Sequence, residues 1–163
     1  MKKTNVMRLL DQAKISYTAG EYAYDETDLS GLHAAAELGL DPGMVFKTLV
    51  AKGDKTGYVV FSLPVNREVN LKKAAAASGN KKVEMLHVKD LQGVTGYIRG
   101  GCSPIGMKKK FPTFIDESIR LVPRVSISAG QRGCQVILEA EAYISFVEGT
   151  VCQLAGQQAF PGK

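Results

Sequence analysis

Two glycine-rich stretches and one lysine carry the residue types that could do chemistry. The first stretch, Gly100-Gly101-Cys102-Ser103-Pro104-Ile105-Gly106, runs through Met107 into Lys108, Lys109 and Lys110. Its glycines permit positive φ and close backbone approach, and Pro104 stiffens the turn without contributing an N–H. Exposed amides on such a loop bind anions or form an oxyanion hole, although a tight connection between strands uses the same residues. The lysine run is either a solvated face or an attractor of phosphates. The second stretch, Ser128-Ala129-Gly130-Gln131-Arg132-Gly133, turns around an arginine; Ser128 could donate to a substrate oxygen or cap the turn.

Lys47 lies in the segment VFKTLVAK. On a strand it shares a face with Leu49 and Ala51, opposite Phe46, Thr48 and Val50. A lysine there either snorkels its ammonium to water or lines a cleft, where it holds a phosphate or carbonyl oxygen as a point charge. Cys102 beside lysines invites a nucleophile, but His33 and His87 have no acid spaced to complete a triad. Two isolated histidines and scattered cysteines offer no metal-ligand spacing, and no metal or cofactor is expected.

Several elements must position these groups. Val6, Leu9, Leu10 and Ala13 recur at helical spacing after a Thr4 N-cap, and Ser30 to Gly39 reads as a second, capped helix. Tyr22 and Tyr24 would share one face of an early strand. Asp41 and Pro42 start one more helical turn. VFKTLVAK and GYVVFSLPV form a hairpin around GDKT, NLKKAAAASG is a helix, VKDLQG a weaker helical turn and GYIRGG a short strand. FPTFID is a further strand, RVSIS and CQVIL make a second hairpin, and EAEAYISFVEG closes the fold as a helix. Helices and strands mix irregularly without a βαβ rhythm, which predicts an α+β fold around a mixed or largely antiparallel sheet. Dinucleotide-binding and P-loop fingerprints are missing from the sequence.

The chain has 163 residues, enough for one domain, expected over 1–155 with a flexible tail over 156–163. Its net charge of +5 permits a polyanionic partner without demanding one. The apolar runs are too short for a membrane span, the N-terminus does not resemble a signal peptide, and three unpaired-looking cysteines fit a reducing compartment. A soluble, cytoplasmic protein is expected.

The order of Lys47, the Gly-Gly-x-Ser-Pro-x-Gly loop and the late Ser-x-Gly-x-Arg-Gly turn resembles the YbaK/EbsC family of aminoacyl-tRNA deacylases, and within it the Cys-tRNA(Pro) deacylases. The resemblance extends over nearly the whole chain, from LLDQAKISY to ISAGQRG. It implies a curved, barrel-like mixed sheet flanked by helices, with a cleft for the 3′ end of a charged tRNA. It places the family's essential lysine on Lys47, its substrate loop on Gly100, Gly101, Ser103, Pro104 and Gly106, its pocket tyrosine on Tyr22, and its late serine and glycine on Ser128 and Gly130. Where Cys-specific members can carry an aspartate, this sequence has Gln135.

The implied activity is trans-editing: hydrolysis of mischarged Cys-tRNA(Pro). A synthetase pocket for proline rejects intruders of similar size by only about 1–3 kcal/mol, so a second site restores accuracy. In the implied mechanism the substrate's own thiol attacks its carbonyl and leaves as a cyclic thiolactone. Lys47 would anchor the terminal adenosine or phosphate and support developing charge, the loop backbone would orient the aminoacyl group, and Tyr22 and Ser128 would line the pocket. Prolyl-tRNA synthetase is the implied partner besides tRNA(Pro). Ala-tRNA(Pro) or a broader range of aminoacyl-tRNAs is the alternative substrate, and a non-catalytic module that holds an RNA end or nucleotide is the alternative class.

Overall fold

The computed structural model describes residues 2–158. The helices begin and end where local chemistry directs. In α1 (Asn5–Gln12) the Thr4 hydroxyl accepts from the Met7 N–H, and in α2 (Gly31–Leu38) the Ser30 hydroxyl accepts from the His33 N–H before Gly39 ends the helix. A 3-10 turn over Pro42–Met44 is capped by Asp41. The Asn70 side chain caps α3 (Leu71–Ser78) and Gly79 terminates it. The weaker turn expected at VKDLQG is a complete helix, α4 (Val88–Thr95), stopped by Gly96; α5 spans Ala140–Phe146.

Strands form two larger sheets and one small one. β1 (Tyr17–Glu21), β7 (Arg124–Ser128) and β8 (Cys134–Glu139) make an antiparallel sheet in the order β1-β8-β7. The second sheet runs β5-β2-β3-β6-β9, from β5 (Val83–Met85) through β2 (Phe46–Gly53), β3 (Gly57–Pro64) and β6 (Thr113–Asp116) to β9 (Thr150–Cys152). Its hairpin β2–β3 is antiparallel with Lys47 opposite Leu63, whereas β6 runs parallel to both β3 and β9. β4 (Arg67–Val69) pairs with β10 (Ala155–Gln158) as a separate ribbon.

The α+β class stands, but the expected barrel-like curvature does not. Among the described residues no sheet closes: the five-stranded sheet ends in β5 and β9, and the three-stranded one in β1 and β7. Besides side-chain packing, the two larger sheets share one isolated backbone bridge, Val45 to Ser126. On the outer side of β2, β5 pairs only with Ala51–Gly53, and the Leu86 N–H bonds to the Val50 carbonyl. Phe46 to Leu49 therefore present an edge without a strand neighbour between those two contacts. The failure to close leaves the opening in which the site lies.

Other departures have local causes. GYIRGG is no strand, because the Tyr97 hydroxyl donates to the Ile105 carbonyl and the Gly101 N–H to the Ile98 carbonyl, folding the segment back on itself. β1 stops at Glu21, so Tyr22 and Tyr24 lie beyond it. Residues 156–158 of the expected tail belong to strand β10, and 159–163 lie outside the described residues. Strands β4, β5, β9 and β10 are too short for a period-two pattern to announce them.

Two larger clusters fill most of the core, with a smaller third of Ala35, Val45 and Val65. One of the larger two joins Val6, Met7 and Leu10 of α1 with Ile127, Val136 and Tyr143; the other joins Ala51, Val59 and Phe61 with Ala74 and Ala75 of α3. The buried Tyr143 hydroxyl and Ser62 Oγ lie 2.8 Å apart, a hydrogen bond between α5 and β3. No helix of the described residues is long and apolar enough to cross a membrane.

Candidate active site

Strand β2 packs on both faces. Phe46 enters the cluster with Ile127 and Tyr143, whereas Ala51, on the face of Lys47, enters the cluster with Phe61 and Ala74. Lys47 itself is half-buried beside the open edge, in a cleft of about 410 Å³ that it shares with Tyr22, Arg99, Gly100, Cys102 and Ser128. Burial pushes its ammonium below the ordinary lysine range, and the attraction of Glu68 only partly offsets this. Among the described residues Lys47 has no carboxylate at ion-pairing distance.

The glycine-rich loop reaches this cleft at one end only. Gly100, at φ +86°, sits on its wall, where a Cβ would meet the Leu29 side chain at 3.2 Å. Gly101 is buried against the second turn: a Cβ there would stand 3.1 Å from the backbone N of Arg132. Arg132 completes the docking by donating Nε–H to the Arg99 carbonyl at 2.8 Å. Ser103 is fully buried, with its hydroxyl accepting from the Ile105 N–H. Pro104 and Gly106 face a different hollow, with Leu9 and Phe146, and Gly130 packs near Tyr97 and Val6 while its N–H bonds to Ser128 Oγ. Of the nine sequence-derived site residues, Lys47, Tyr22, Gly100 and Ser128 thus meet in the cleft; Gly101, Ser103, Pro104, Gly106 and Gly130 shape the two turns behind or beside it.

Two further cleft residues carry buried polar atoms. Gln135 is buried, accepts from Ser126 Oγ at 2.9 Å, and bonds to the Tyr22 hydroxyl, whose acidity burial weakens. Thr48 Oγ1 is buried without a hydrogen-bond partner among the described residues, although its residue lines the cleft. Sequence alone gives no signal for Thr48, since threonine is ordinary on a strand and only the fold puts it on the cleft wall.

Other candidates leave the chemistry. Burial pushes the Cys102 thiol up to about 11, so it is protonated at neutral pH and unsuited to nucleophilic attack. His33 packs edge-on to Tyr22 and bonds the Ala23 carbonyl. In the lysine run, Lys110 pairs with Glu148 and Lys108 reaches the Gly93 carbonyl of α4. No group of three or more His, Cys, Asp and Glu among the described residues could hold a metal ion.

Fold and site together define an α+β protein with a cationic cleft at the unpaired edge of a mixed sheet. Residues 31–146 match the aminoacyl-tRNA editing domain, and the chain belongs to that family. It is 50% identical over 157 residues, 96% of each chain, to an Enterococcus faecalis (strain ATCC 700802 / V583) protein named, provisionally, Cys-tRNA(Pro)/Cys-tRNA(Cys) deacylase EbsC. Over 76 residues, 47% of this chain and 13% of the other, it is 32% identical to proline--tRNA ligase of Brachyspira hyodysenteriae (strain ATCC 49526 / WA1). Its fold matches a crystal structure described provisionally as a trans-editing enzyme for prolyl tRNA synthetase, with a TM-score of 0.81 at 20% identity over 96% of this chain and 100% of that one.

Proposed function

We propose that the protein is a trans-editing deacylase that releases cysteine from mischarged Cys-tRNA(Pro). The observation that carries this is the placement of the Lys47 ammonium, partly desolvated and without an ion-pair partner among the described residues, in one cleft with Tyr22, Gly100 and Ser128. A cation so placed is available to a ligand oxygen. The cleft volume lies within the roughly 300–1,000 Å³ of small-ligand sites, and the half-length kinship to a proline–tRNA ligase fits the choice of tRNA.

An aminoacyl ester is already activated, so the enzyme mainly orients it and stabilises the developing oxyanion. The cysteinyl thiol attacks its own carbonyl: a C–S bond forms, the ester C–O bond breaks, and the thiol proton passes to the leaving ribose oxygen. Water then opens the cyclic thiolactone to cysteine. Lys47 anchors the terminal adenosine or phosphate and supports the carbonyl oxygen. Gly100 leaves room for the aminoacyl group, while Tyr22 and Ser128 line its pocket; Gly101, Ser103, Pro104, Gly106 and Gly130 hold the turns that shape it. The protonated state of Cys102 is consistent with a nucleophile supplied by the substrate. Prolyl-tRNA synthetase acts as partner by presenting the tRNA, and a gel shift with all three components checks for the ternary complex.

The test is turnover of Cys-tRNA(Pro) and Ala-tRNA(Pro) by the wild-type protein, Lys47→Ala and Cys102→Ala. Release of cysteine that persists in Cys102→Ala and collapses in Lys47→Ala is the expected result. Full activity of Lys47→Ala would overturn the assignment of that lysine. Comparable release of alanine would exclude the thiol mechanism, and binding without release would mark a non-catalytic RNA-end module.

A further inference from the structure

Tyr22 stands between two hollows. On one side is the cleft of Lys47; on the other is a groove of about 600 Å³ lined by Lys2, Lys3, Arg8 and Arg132 along with Tyr24 and Glu21. We propose that this groove is the phosphate track of the tRNA acceptor arm, leading the single-stranded 3′ end past Tyr22 into the cleft.

Charge distinguishes this exit from the others. Four cations line the groove against one carboxylate, Glu21. Lys3 is paired with Asp11 at 2.5 Å, and this exposed pair stays at the rim. Elsewhere the cleft is lined by Asp28, which carries a carboxylate, and by the apolar Met85, Val88 and Leu91. A phosphodiester chain leaving past Asp28 is repelled, and Met85, Val88 and Leu91 themselves offer it no charge.

The groove is also held in register with the cleft. Arg132 is anchored by its Nε–H to the Arg99 carbonyl, and Arg99 and Gly100 belong to the cleft. The Tyr22 N–H bonds to the Gly133 carbonyl, which ties the tyrosine between the hollows to the turn that carries Arg132. Arg8 reaches the Lys3 carbonyl through Nη2, which fixes the start of α1 beside the same turn. A phosphate bound at Arg132 and an aminoacyl group near Gly100 therefore sit on one rigid joint.

This inference rests on the deacylase reading, and its test separates the two. The probes are fluorescent uncharged tRNA(Pro) for binding, and Cys-tRNA(Pro) and 3′-cysteinyl-adenosine for turnover, compared between wild type and the double variant Lys2→Gln/Arg8→Gln. Both side chains are exposed, so the fold should persist. The expected result is weaker tRNA binding, on the order of tenfold, with the log–log salt slope shallower by about 2, one for each lost phosphate contact. KM for Cys-tRNA(Pro) rises in parallel while kcat stays within twofold, and 3′-cysteinyl-adenosine, which has no phosphate to track, is turned over unchanged. Equal tRNA affinity and salt slope in wild type and variant overturn the groove. If wild type binds tRNA through these cations yet releases no amino acid, the groove stands and the deacylase reading fails.

Discussion

Arg132 donates its Nε–H to the Arg99 carbonyl at 2.8 Å, and this bond joins two glycine-rich turns that are well separated in the sequence. The contact is possible because Gly101 lets its backbone approach the Gln131–Arg132 peptide. The wall of the cleft is thus a joint between loops, and its precision depends on a missing side chain.

Gly101→Ala inserts a methyl 3.1 Å from backbone atoms of Gln131 and Arg132 that cannot rotate away. The turns must separate, so deacylation should fall by at least tenfold with a Tm loss of several degrees, about 1–3 kcal/mol of overpacking. Gly93→Ala in α4, whose new Cβ would meet nothing within 4 Å, is the control and should keep activity and gain slightly in Tm. Kinetics and thermal melts of the pair check this.

Lys47 pulls stability and function in opposite directions. Its pKa is depressed by burial, so the folded state holds the proton less tightly than the unfolded chain does. Stability therefore rises with pH across the window between the lowered value and the ordinary 10.5, and the buried charge is a burden below it. Lys47→Met should raise Tm at pH 7 while abolishing deacylation. In wild type, affinity for a non-hydrolysable amide analogue should decline with rising pH earlier than an ordinary lysine allows, and Lys47→Met should lack that limb. A lower Tm in Lys47→Met would mark the lysine as structural.

Thr48→Val keeps the shape and removes a buried hydroxyl that has no partner among the described residues. If that hydroxyl awaits a substrate oxygen, the variant melts higher, by about 1 kcal/mol of relieved desolvation, yet kcat/KM falls on the order of tenfold. Melting curves and turnover measured on the same preparation separate this from a purely structural threonine, which would leave kcat/KM unchanged.

Asp116 fastens the start of β10: Oδ1 accepts from the N–H groups of Leu154 and Ala155 at 3.0 and 2.9 Å, and Oδ2 from Ser118. Burial alone would raise its pKa, but these bonds outweigh it and hold the carboxyl below its usual range. Its contribution is fully present above the ordinary carboxylate value of about 4 and is lost as pH falls through the depressed folded value. Asp116→Ala should cost about 3 kcal/mol at pH 7 by stranding buried donors. Urea unfolding at pH 7 and pH 3 should show the difference shrinking in acid.

Local chemistry wrote much of this protein into its sequence. Thr4, Ser30, Asn70 and the glycines at 39 and 79 mark helix ends because capping is a contact between near neighbours. The hairpins β2–β3 and β7–β8 are legible because alternating apolar residues flank short turns. Lys47, Tyr22, Gly100 and Ser128 could be named in advance because their order along the chain carries a family pattern. What residue order could not supply is which side of β2 goes unpaired: that depends on β5 and β7 each reaching only part of its edge, a matter of long-range register. The opening there puts Thr48 on the cleft wall, and the docking of one glycine turn on the other assigns Gly100 to the cleft and Gly101 to the joint. Those outcomes arise from contacts between distant segments, whose cost and geometry no local pattern records.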